Sequence, residues 1–277
     1  MLLGMMTLGA AAQSINGDVN GDGVVNISDL NRVISIILTG GYDSSADVNN
    51  DGQVNITDVN VIIDQILNST VRPPEDDWVD LGLPSGTIWA TRNIGANSPE
   101  EYGDYFAWGE TSPKEVYNWS TYKWGYYDNK GNWQWTKYYF SYYDNSSQST
   151  ITGDNKTELD PADDAATANW GASARMPSLE QILELVNSCS WQWTQRNGVY
   201  GQQGTGPNGN TIFLPAAGGR WNESLYYAGS LGVYWSRTLD SFYSYFAYYL
   251  YFNSDGVDWY NYYLRYLGHS VRAVRVP

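Results

Sequence analysis

The chain has 277 residues, with 30 Asp and Glu against 15 Lys and Arg, and its formal net charge is −15. So acidic a chain lacks the basic surface with which proteins bind nucleic acids and anionic membranes, and we expect neither partner. Its single cysteine, Cys189, excludes an internal disulfide framework and is expected to be a small buried side chain. The length is sufficient for two domains, one of them large enough to bury a full core.

Residues 1–14 start with an apolar run, MLLGMMTLGAAA, that ends in small residues. The A-x-A ending is the pattern that a signal peptidase accepts, although the basic start of a signal peptide is missing. The run is too short to cross a bilayer. We therefore interpret residues 1–14 as the remnant of a signal peptide, and we expect a secreted protein without membrane insertion.

Two twelve-residue segments, residues 18–29 and 47–58, carry the same pattern of oxygen-bearing side chains 29 residues apart. In calcium loops of this length, positions 1, 3, 5, 9 and 12 bind the ion through side chains and position 7 through its main-chain carbonyl, with glycine at position 6. The expected ligands are Asp18, Asn20, Asp22, Val24, Asn26 and Asp29 in the first loop and Asp47, Asn49, Asp51, Gln53, Asn55 and Asp58 in the second. The pattern predicts two bound Ca²⁺ ions.

Each loop leads into a segment with apolar residues spaced i, i+3, i+4 and i+7, which predicts an amphipathic helix. The apolar positions are Leu30, Val33, Ile34 and Ile37 in the first segment and Val59, Ile62, Ile63 and Ile66 in the second. Residues 17–38 and 46–67 are identical at 13 of 22 positions, so the segment is an internal duplication. A unit this small buries little apolar surface, and we expect metal binding to supply folding free energy.

Two loop-helix repeats with Asp rather than Glu at position 12 resemble a type I dockerin domain, which we place at residues 16–68. The resemblance implies a cohesin domain as partner, bound through either of two symmetry-related faces. It also implies a secreted or cell-surface bacterial system, often one that degrades polysaccharides. Loop positions 10 and 11 contact the cohesin in this family, and here they are Ile27 and Ser28 in the first repeat and Ile56 and Thr57 in the second. The isoleucines depart from the hydroxyl residues that many dockerins carry there.

Residues 69–77 contain Pro73 and Pro74 together with acidic residues, which predicts an extended, solvated linker. The remaining residues, 78–277, consist of short strand-like runs separated by Gly, Asn and Asp. One helix is predicted at about residues 179–187, after Pro177 and with Ser178 as its N-cap. This second domain is therefore expected to be α+β with many loops.

Six blocks of the second domain resemble the Fibrobacter succinogenes major paralogous domain, common in secreted and surface proteins of gut Bacteroidetes. They are VDLGLPSGTIWATRNIGA (79–96), EEYGDYFAWGET (100–111), RMPSLEQILELV (175–186), GPNGNTIFLPAAGGR (206–220), YWSRT (234–238) and SVRAVRV (270–276). The same blocks are similar to C-type lectin-like folds, in which an R-x-P-[S/T] turn opens a helix and a G-x-x-V-R strand closes the chain beside the first strand. The overall fold class implied is a small all-α calcium-loop dockerin followed by a loop-rich C-type lectin-like α+β domain.

Two well-known chemistries of C-type lectin-like proteins are not expected here. Formylglycine generation requires a cysteine pair, and Cys189 is the only cysteine. Calcium-dependent sugar binding by true lectins uses an E-P-N or Q-P-D tripeptide, and the chain contains neither.

Aromatic residues are concentrated near the C-terminus, where 17 of residues 225–277 are Tyr, Trp or Phe. Tyr248, Leu250 and Phe252 alternate with Tyr249 and Tyr251, which predicts a core face and an exposed aromatic face. Exposed tyrosine is favoured at binding surfaces because it offers a large contact area at low entropic cost. The predicted ligand-binding residues are Phe242, Tyr243, Tyr245, Phe246, Asp258, Tyr260, Tyr262, Tyr263, Tyr266 and His269. Their mixture, on a frame that includes Trp235 and Arg265, resembles the variable tail of proteins diversified by diversity-generating retroelements.

Three functions remain open from the sequence. The favoured one is a non-catalytic protein that docks to a cohesin and presents its aromatic surface to a glycan or protein ligand. The second is a dockerin-borne glycoside hydrolase, although the single histidine, His269, excludes a histidine-based triad paired with a second histidine metal ligand, and no pair of carboxylates is singled out by spacing. The third is a structural or assembly module of a cell-surface complex whose aromatic residues pack against another subunit.

Overall fold

The computed structural model describes residues 16–21, 25, 27–68, 77–145 and 147–275. These residues form two compact units that divide between residues 70 and 71. The predicted signal-peptide remnant lies outside the described residues, and so does the predicted linker except for Asp77. Helices and strands are both present, which agrees with the predicted mixture of α and β structure.

Within its described residues the N-terminal unit contains two helices, α1 (Ile27–Thr39) and α2 (Ile56–Asn68). Each helix contributes the centre of its predicted apolar stripe to one shared core, with Val33 and Ile62 fully buried. The core is completed by Val19, Ala46 and Val48. Ile34, predicted to lie on the buried stripe, is more than one-third exposed because two helices cover only the centre of each stripe.

The C-terminal unit contains two α-helices, two short 3-10 helices and fifteen strands among its described residues. The α-helices are α3 (Ala165–Trp170) and α4 (Leu179–Ser188), and the 3-10 helices are Trp119–Thr121 and Pro161–Asp163. The strands are β1 (Trp78–Asp80), β2 (Ile88–Ala90), β3 (Gly125–Tyr127), β4 (Trp133–Trp135), β5 (Tyr142–Asp144), β6 (Ser149–Ile151), β7 (Ser190–Arg196), β8 (Val199–Thr205), β9 (Thr211–Pro215), β10 (Gly219–Trp221), β11 (Ser224–Tyr226), β12 (Gly232–Leu239), β13 (Phe246–Asn253), β14 (Gly256–Leu264) and β15 (Val274–Arg275).

Antiparallel pairing arranges these strands in three sheets and three hairpins. The sheets have the orders β1-β2-β15, β7-β8-β9 and β12-β13-β14, and the hairpins are β3-β4, β5-β6 and β10-β11. The closing strand β15 pairs with β2, so it joins the sheet of β1 but is not its direct neighbour. None of the helices in the described part of the chain combines the length and the apolar character needed to cross a membrane.

The predicted helix at residues 179–187 is confirmed as α4. Ser178 caps it, because its side-chain oxygen accepts a hydrogen bond from the Gln181 N–H at 3.2 Å. In return the Gln181 side-chain oxygen accepts a hydrogen bond from the Ser178 N–H at 2.9 Å. This reciprocal capping box satisfies two main-chain donors that the first turn of a helix leaves unpaired.

The predicted exposed aromatic face of β13 is wrong. β13 is the central strand of its sheet, and both of its faces are covered. Leu250 and Phe252 pack into one core cluster, while Tyr249 packs into a second cluster on the other face. Tyr249 is buried and Tyr251 is partly buried, because a central strand between two core layers has no solvent-facing side.

Two arginine side chains are buried in the C-terminal unit with neutral hydrogen-bond partners. Arg265 donates to the Tyr122 hydroxyl at 2.8 Å and to the main-chain carbonyl oxygens of Tyr138 and Ser244, each at 2.7 Å. Arg272 donates in the same way to a buried amide oxygen and two main-chain carbonyl oxygens. Desolvation lowers the pKa of both guanidinium groups, that of Arg272 to about 10. Hydrogen bonding to every available edge offsets the cost of burying these cations.

Candidate functional site

The second predicted calcium loop is organised by hydrogen bonds from its own main chain. The Asp58 carboxylate, which is 0 % exposed, accepts from the N–H groups of Val48 at 2.9 Å, Asn49 at 3.2 Å and Asn55 at 2.9 Å. The other side-chain ligand candidates of the loop, Asp47, Asn49, Asp51 and Asn55, each accept at least one main-chain N–H bond within the loop. These bonds fix five oxygen-bearing side chains around one tight turn.

The first loop repeats the contacts of position 12. The Asp29 carboxylate is buried and accepts from the N–H groups of Val19 at 2.9 Å and Asn20 at 3.0 Å, as Asp58 does in the second loop. Asp18 accepts from the Gly21 N–H at 2.8 Å. The predicted ligands Asp22, Val24 and Asn26 lie outside the described residues. Matching contacts at equivalent positions extend the duplication from sequence to structure.

The donor chemistry of these loops fits calcium. Every candidate ligand offers oxygen, from a carboxylate, an amide or a main-chain carbonyl, and hard oxygen donors are those that Ca²⁺ prefers. Among the described residues, no three His, Cys, Asp or Glu side chains group together as a metal site. A calcium loop does not require such a group, because amide and carbonyl oxygens supply much of its coordination. Asp47, Asn49, Asp51, Asn55 and Asp58, together with the main-chain carbonyl of Gln53, are the groups that would hold an ion in the second loop.

The residues predicted to contact a cohesin lie at the surface where their side chains are described. Ile56 is 64 % exposed, and Ser28 and Thr57 are exposed as well. The Thr57 hydroxyl accepts a hydrogen bond from the Asn49 side-chain amide at 2.8 Å, so position 11 is connected directly to a calcium-ligand candidate. The side chain of Ile27 lies outside the described residues.

A cavity of about 410 Å³ in the C-terminal unit is lined mainly by aromatic and aliphatic side chains, and we call it the aromatic cavity. Its lining residues are Gly219, Arg220, Trp221, Tyr226, Tyr227, Leu231, Val233, Tyr263, Leu264, Tyr266, Leu267 and His269. The volume lies within the range of about 300–1,000 Å³ that is typical of small-molecule sites. Three of the predicted ligand-binding residues, Tyr263, Tyr266 and His269, are therefore brought together around one cavity.

The β10-β11 hairpin and the residue that follows it contribute Trp221, Tyr226 and Tyr227 to the lining of the aromatic cavity. Gly218, just before the hairpin, has φ +66°, and a Cβ atom there would lie 2.1 Å from the Tyr226 carbonyl oxygen. Tyr227 has φ 59°, a left-handed conformation that is unfavourable for any residue with a Cβ atom. Its carbonyl oxygen accepts from the N–H groups of Ser230 and Leu231, which stabilises the turn.

His269 was predicted to lie on the exposed surface, and this prediction is wrong. The imidazole is 1 % exposed, and its ring centroid lies 4.3 Å from that of Trp235, 5.0 Å from that of Tyr263 and 6.1 Å from that of Tyr249. Neither ring nitrogen has a hydrogen-bond partner among the described residues. Burial lowers the pKa of this imidazole to about 3, so it is neutral at physiological pH. His269 therefore belongs to the packed base of the cavity.

The other predicted ligand-binding residues are distributed over different places. Phe242, Tyr243 and Tyr245 are exposed on the loop before β13. Phe246, the first residue of β13, is partly buried. Asp258 is exposed near the opposite end of β14 from Tyr263. Tyr263 is partly buried and Tyr266 is buried, with 8 % of its surface exposed. The side chains of Tyr260 and Tyr262 lie outside the described residues.

The sequence interpretation did not identify an aromatic cluster centred on Trp119. The Trp119 ring centroid lies 4.8 Å from those of Trp133 and Tyr266 and 5.6 Å from those of Trp135 and Tyr245. Trp119, Trp133 and Trp135 are each partly exposed. Tyr266 also lines the aromatic cavity, so the cluster and the cavity share this side chain.

A local signal for this cluster was present in the sequence. Trp133 and Trp135 alternate with Gln134 in β4, and alternation along a strand places both indoles on one face. Tyr226 and Tyr227 carried a weaker signal, because successive residues of an extended segment point to opposite faces and cannot both enter a core.

Comparison with known proteins identifies the N-terminal unit. The model of the dockerin type I domain family matches residues 16–67. No curated protein and no solved structure matches the chain. Dockerin domains bind calcium, dock to cohesin domains and occur in extracellular or cell-surface proteins. The chain therefore carries a type I dockerin domain at residues 16–67.

Proposed function

We propose that this chain is a secreted, non-catalytic binding protein of an extracellular or cell-surface bacterial assembly. Its dockerin domain, loaded with two Ca²⁺ ions at the two loops, attaches it to a cohesin through Ile27, Ser28, Ile56 and Thr57. Its C-terminal domain holds a glycan in the aromatic cavity.

The observation that carries the glycan proposal is the aromatic cavity itself. Five Trp and Tyr rings line it, from Trp221, Tyr226, Tyr227, Tyr263 and Tyr266. Sugar rings present C–H groups on their faces and hydroxyl groups on their edges, and they stack on aromatic side chains whose polar ends donate hydrogen bonds. Tyr227 is 66 % exposed, so this ring is accessible to a ligand without rearrangement of the core.

Backbone strain at the same place supports a binding role. Tyr227 adopts a left-handed conformation that costs of the order of 1–3 kcal/mol, and such outliers are concentrated at functional sites. An asparagine or glycine would adopt that conformation at lower cost. A tyrosine at this position is therefore better explained by what its ring contacts than by the needs of the turn.

We further propose that the C-terminal domain is C-type lectin-like, as its resemblance to the Fibrobacter succinogenes major paralogous domain implies. Two features support this assignment. Arg175, Pro177 and Ser178 precede a capped helix, α4, as the R-x-P-[S/T] pattern requires. The last strand, β15, lies in the sheet that contains the first, β1.

The binding proposal is tested with a glycan panel and the calcium-loaded full-length protein. We expect Tyr227→Ala and Trp221→Ala each to weaken binding, because each removes an exposed ring from the cavity. Tyr143→Ala is the matched control, since Tyr143 is similarly exposed but does not line the cavity. Circular dichroism verifies that all variants are folded.

Two results would contradict the proposal. One is equal glycan binding by the wild type and both cavity variants, which would show that the ligand does not bind in the aromatic cavity. The other is release of reducing sugar ends by the wild-type protein, which would favour the glycoside hydrolase. A mass that increases with concentration and decreases in Trp221→Ala would instead favour an assembly module.

A further inference from the structure

A second cavity in the C-terminal unit, of about 340 Å³, has a different chemical character. It is lined by Ala172, Ser173, Arg175, Gln181, Arg237, Val274 and Arg275, and we call it the arginine cavity. The chain has only 15 basic residues and a net charge of −15, yet three arginines line this one space. None of its lining residues is shared with the aromatic cavity.

Arg237 is held firmly by neighbouring groups. Its Nε donates to the Glu158 carboxylate, and its Nη1 donates to the Met176 carbonyl oxygen and the Gln181 side-chain oxygen, all at 3.0 Å. Its Nη2 is not used by any hydrogen bond among the described residues. The guanidinium group is thus fixed in position with one amino group remaining.

Arg175 is held in a similar way on the same cavity. Its Nε donates to the fully buried Asp164 carboxylate at 3.1 Å, and its Nη2 donates to the Leu159 carbonyl oxygen at 3.2 Å. Its Nη1 has no hydrogen bond within the described part of the chain. Glu158 and Asp164 each accept a hydrogen bond from the Nε of their arginine.

The third arginine, Arg275, lies with its guanidinium carbon 4.8 Å from the centroid of the Trp78 ring. Stacking on an aromatic face orients a guanidinium group. The hydroxyl of the exposed Ser173 adds a neutral donor to the same lining. The remaining amino groups of Arg175 and Arg237 are preorganised donors, which bind anions well because little conformational entropy remains to be lost.

We propose that the arginine cavity is a binding site for an oxyanion, namely the carboxylate or sulfate group of an acidic sugar. The remaining amino groups of Arg175 and Arg237 can each donate charge-assisted N–H···O bonds to the oxygens of such a group. The volume lies at the lower end of the range for small-molecule sites, which suits a single sugar residue. The acidic-sugar part of this proposal depends on the proposed glycan-binding function, whereas the oxyanion part does not.

The test uses calcium-loaded full-length protein at low ionic strength, with binding measured by calorimetry and ligand-observed NMR. The probes are galacturonate, its neutral counterpart galactose, and inorganic sulfate. Ser173→Glu places a carboxylate at the cavity without breaking a hydrogen bond of either fixed arginine. Gln192→Glu is the matched control, because it makes the same charge change at an exposed position that does not line the cavity.

We expect the wild type and Gln192→Glu to bind galacturonate and sulfate competitively, with galactose at least about tenfold weaker. Ser173→Glu is expected to weaken the binding of both anions by about tenfold or more through like-charge repulsion. Galacturonate binding no tighter than galactose, or unchanged in Ser173→Glu, would overturn the proposal. Binding of sulfate without galacturonate would overturn its assignment to a sugar. Neutral-glycan binding that is sensitive to Tyr227→Ala is measured in parallel, so failure of the arginine cavity is distinguishable from failure of the proposed function.

Discussion

The buried imidazole of His269 makes the stability of the C-terminal domain sensitive to acid in a calculable way. In the unfolded chain this group takes up a proton near its ordinary pKa of 6.5, whereas in the folded domain burial holds the pKa at about 3. Between these two values the unfolded state binds one proton more than the folded state does. Folding free energy is therefore lost as the pH falls from about 6.5 towards 3, and it is retained above 6.5.

The magnitude follows from the size of the pH interval. Each pKa unit corresponds to about 1.36 kcal/mol, so two units below the unfolded pKa, at pH of about 4.5, the loss reaches about 2.7 kcal/mol. This is a sizeable fraction of the roughly 5–15 kcal/mol that stabilises a typical domain. Carboxylates also titrate at the lower end of this interval. The contribution of His269 is therefore measured as the difference in stability loss between the wild type and a variant that lacks the imidazole.

The assay compares denaturant unfolding of the wild type and His269→Leu at pH of about 7 and 4.5. The imidazole makes no hydrogen bond among the described residues, so an apolar side chain of similar volume is expected to change stability by less than about 1.5 kcal/mol at neutral pH. At the lower pH the variant should lose about 2.7 kcal/mol less than the wild type. His269 is the only histidine of the chain, so its NMR signals report this titration directly.

The reasoning would be refuted by an imidazole that titrates in the folded protein with a pKa near 6.5. It would also be refuted if both proteins lost the same stability on acidification. Either result would mean that water reaches the ring nitrogens in the folded state.

Three further predictions concern the dockerin domain and the single thiol. Asp58→Asn removes the negative charge that three main-chain N–H groups share. Calorimetry should then detect one bound Ca²⁺ ion instead of two, and circular dichroism should show a loss of helical signal from the second repeat. Uptake of two ions would contradict this prediction. Ile27→Glu combined with Ile56→Glu should weaken cohesin binding at least about tenfold. Either single change should have a smaller effect, since each of the two faces can bind a cohesin by itself. Unchanged binding of the double variant in surface plasmon resonance would exclude these positions from the interface. Burial raises the pKa of Cys189 to about 11. Alkylation of this thiol at pH of about 8 should therefore be far slower in the folded protein than in denaturant. Equal alkylation rates, measured by mass spectrometry, would contradict the burial.

Local features were predictable from the sequence because their determinants are contiguous. The dockerin loops depend on residues within twelve positions, and the helix α4 depends on Ser178, Gln181 and the apolar spacing after them. In both cases the same short segment supplies the donors, the acceptors and the turn. The family match at residues 16–67 confirms the dockerin, whereas the individual metal ligands remain predictions.

The aromatic cavity was only partly predictable, because its walls come from segments that pairing brings together. Tyr263 and Tyr266 were identified from composition, but Trp221 and Tyr227 depend on a hairpin that closes only because Gly218 permits close approach. Alternation along β13 failed for a different reason. It assumes that one face of a strand meets water, and Tyr249 lies on a strand that has core on both sides.

The hydrogen bonds of Arg265 have an evolutionary consequence. The carbonyl oxygens that it binds belong to the backbone of residues 137, 138 and 244, and every amino acid supplies the same oxygen at those places. Replacement of the side chains on these two loops leaves that anchoring chemistry intact. Loops fixed in this way can diversify their surface residues while the scaffold beneath them is inherited without change.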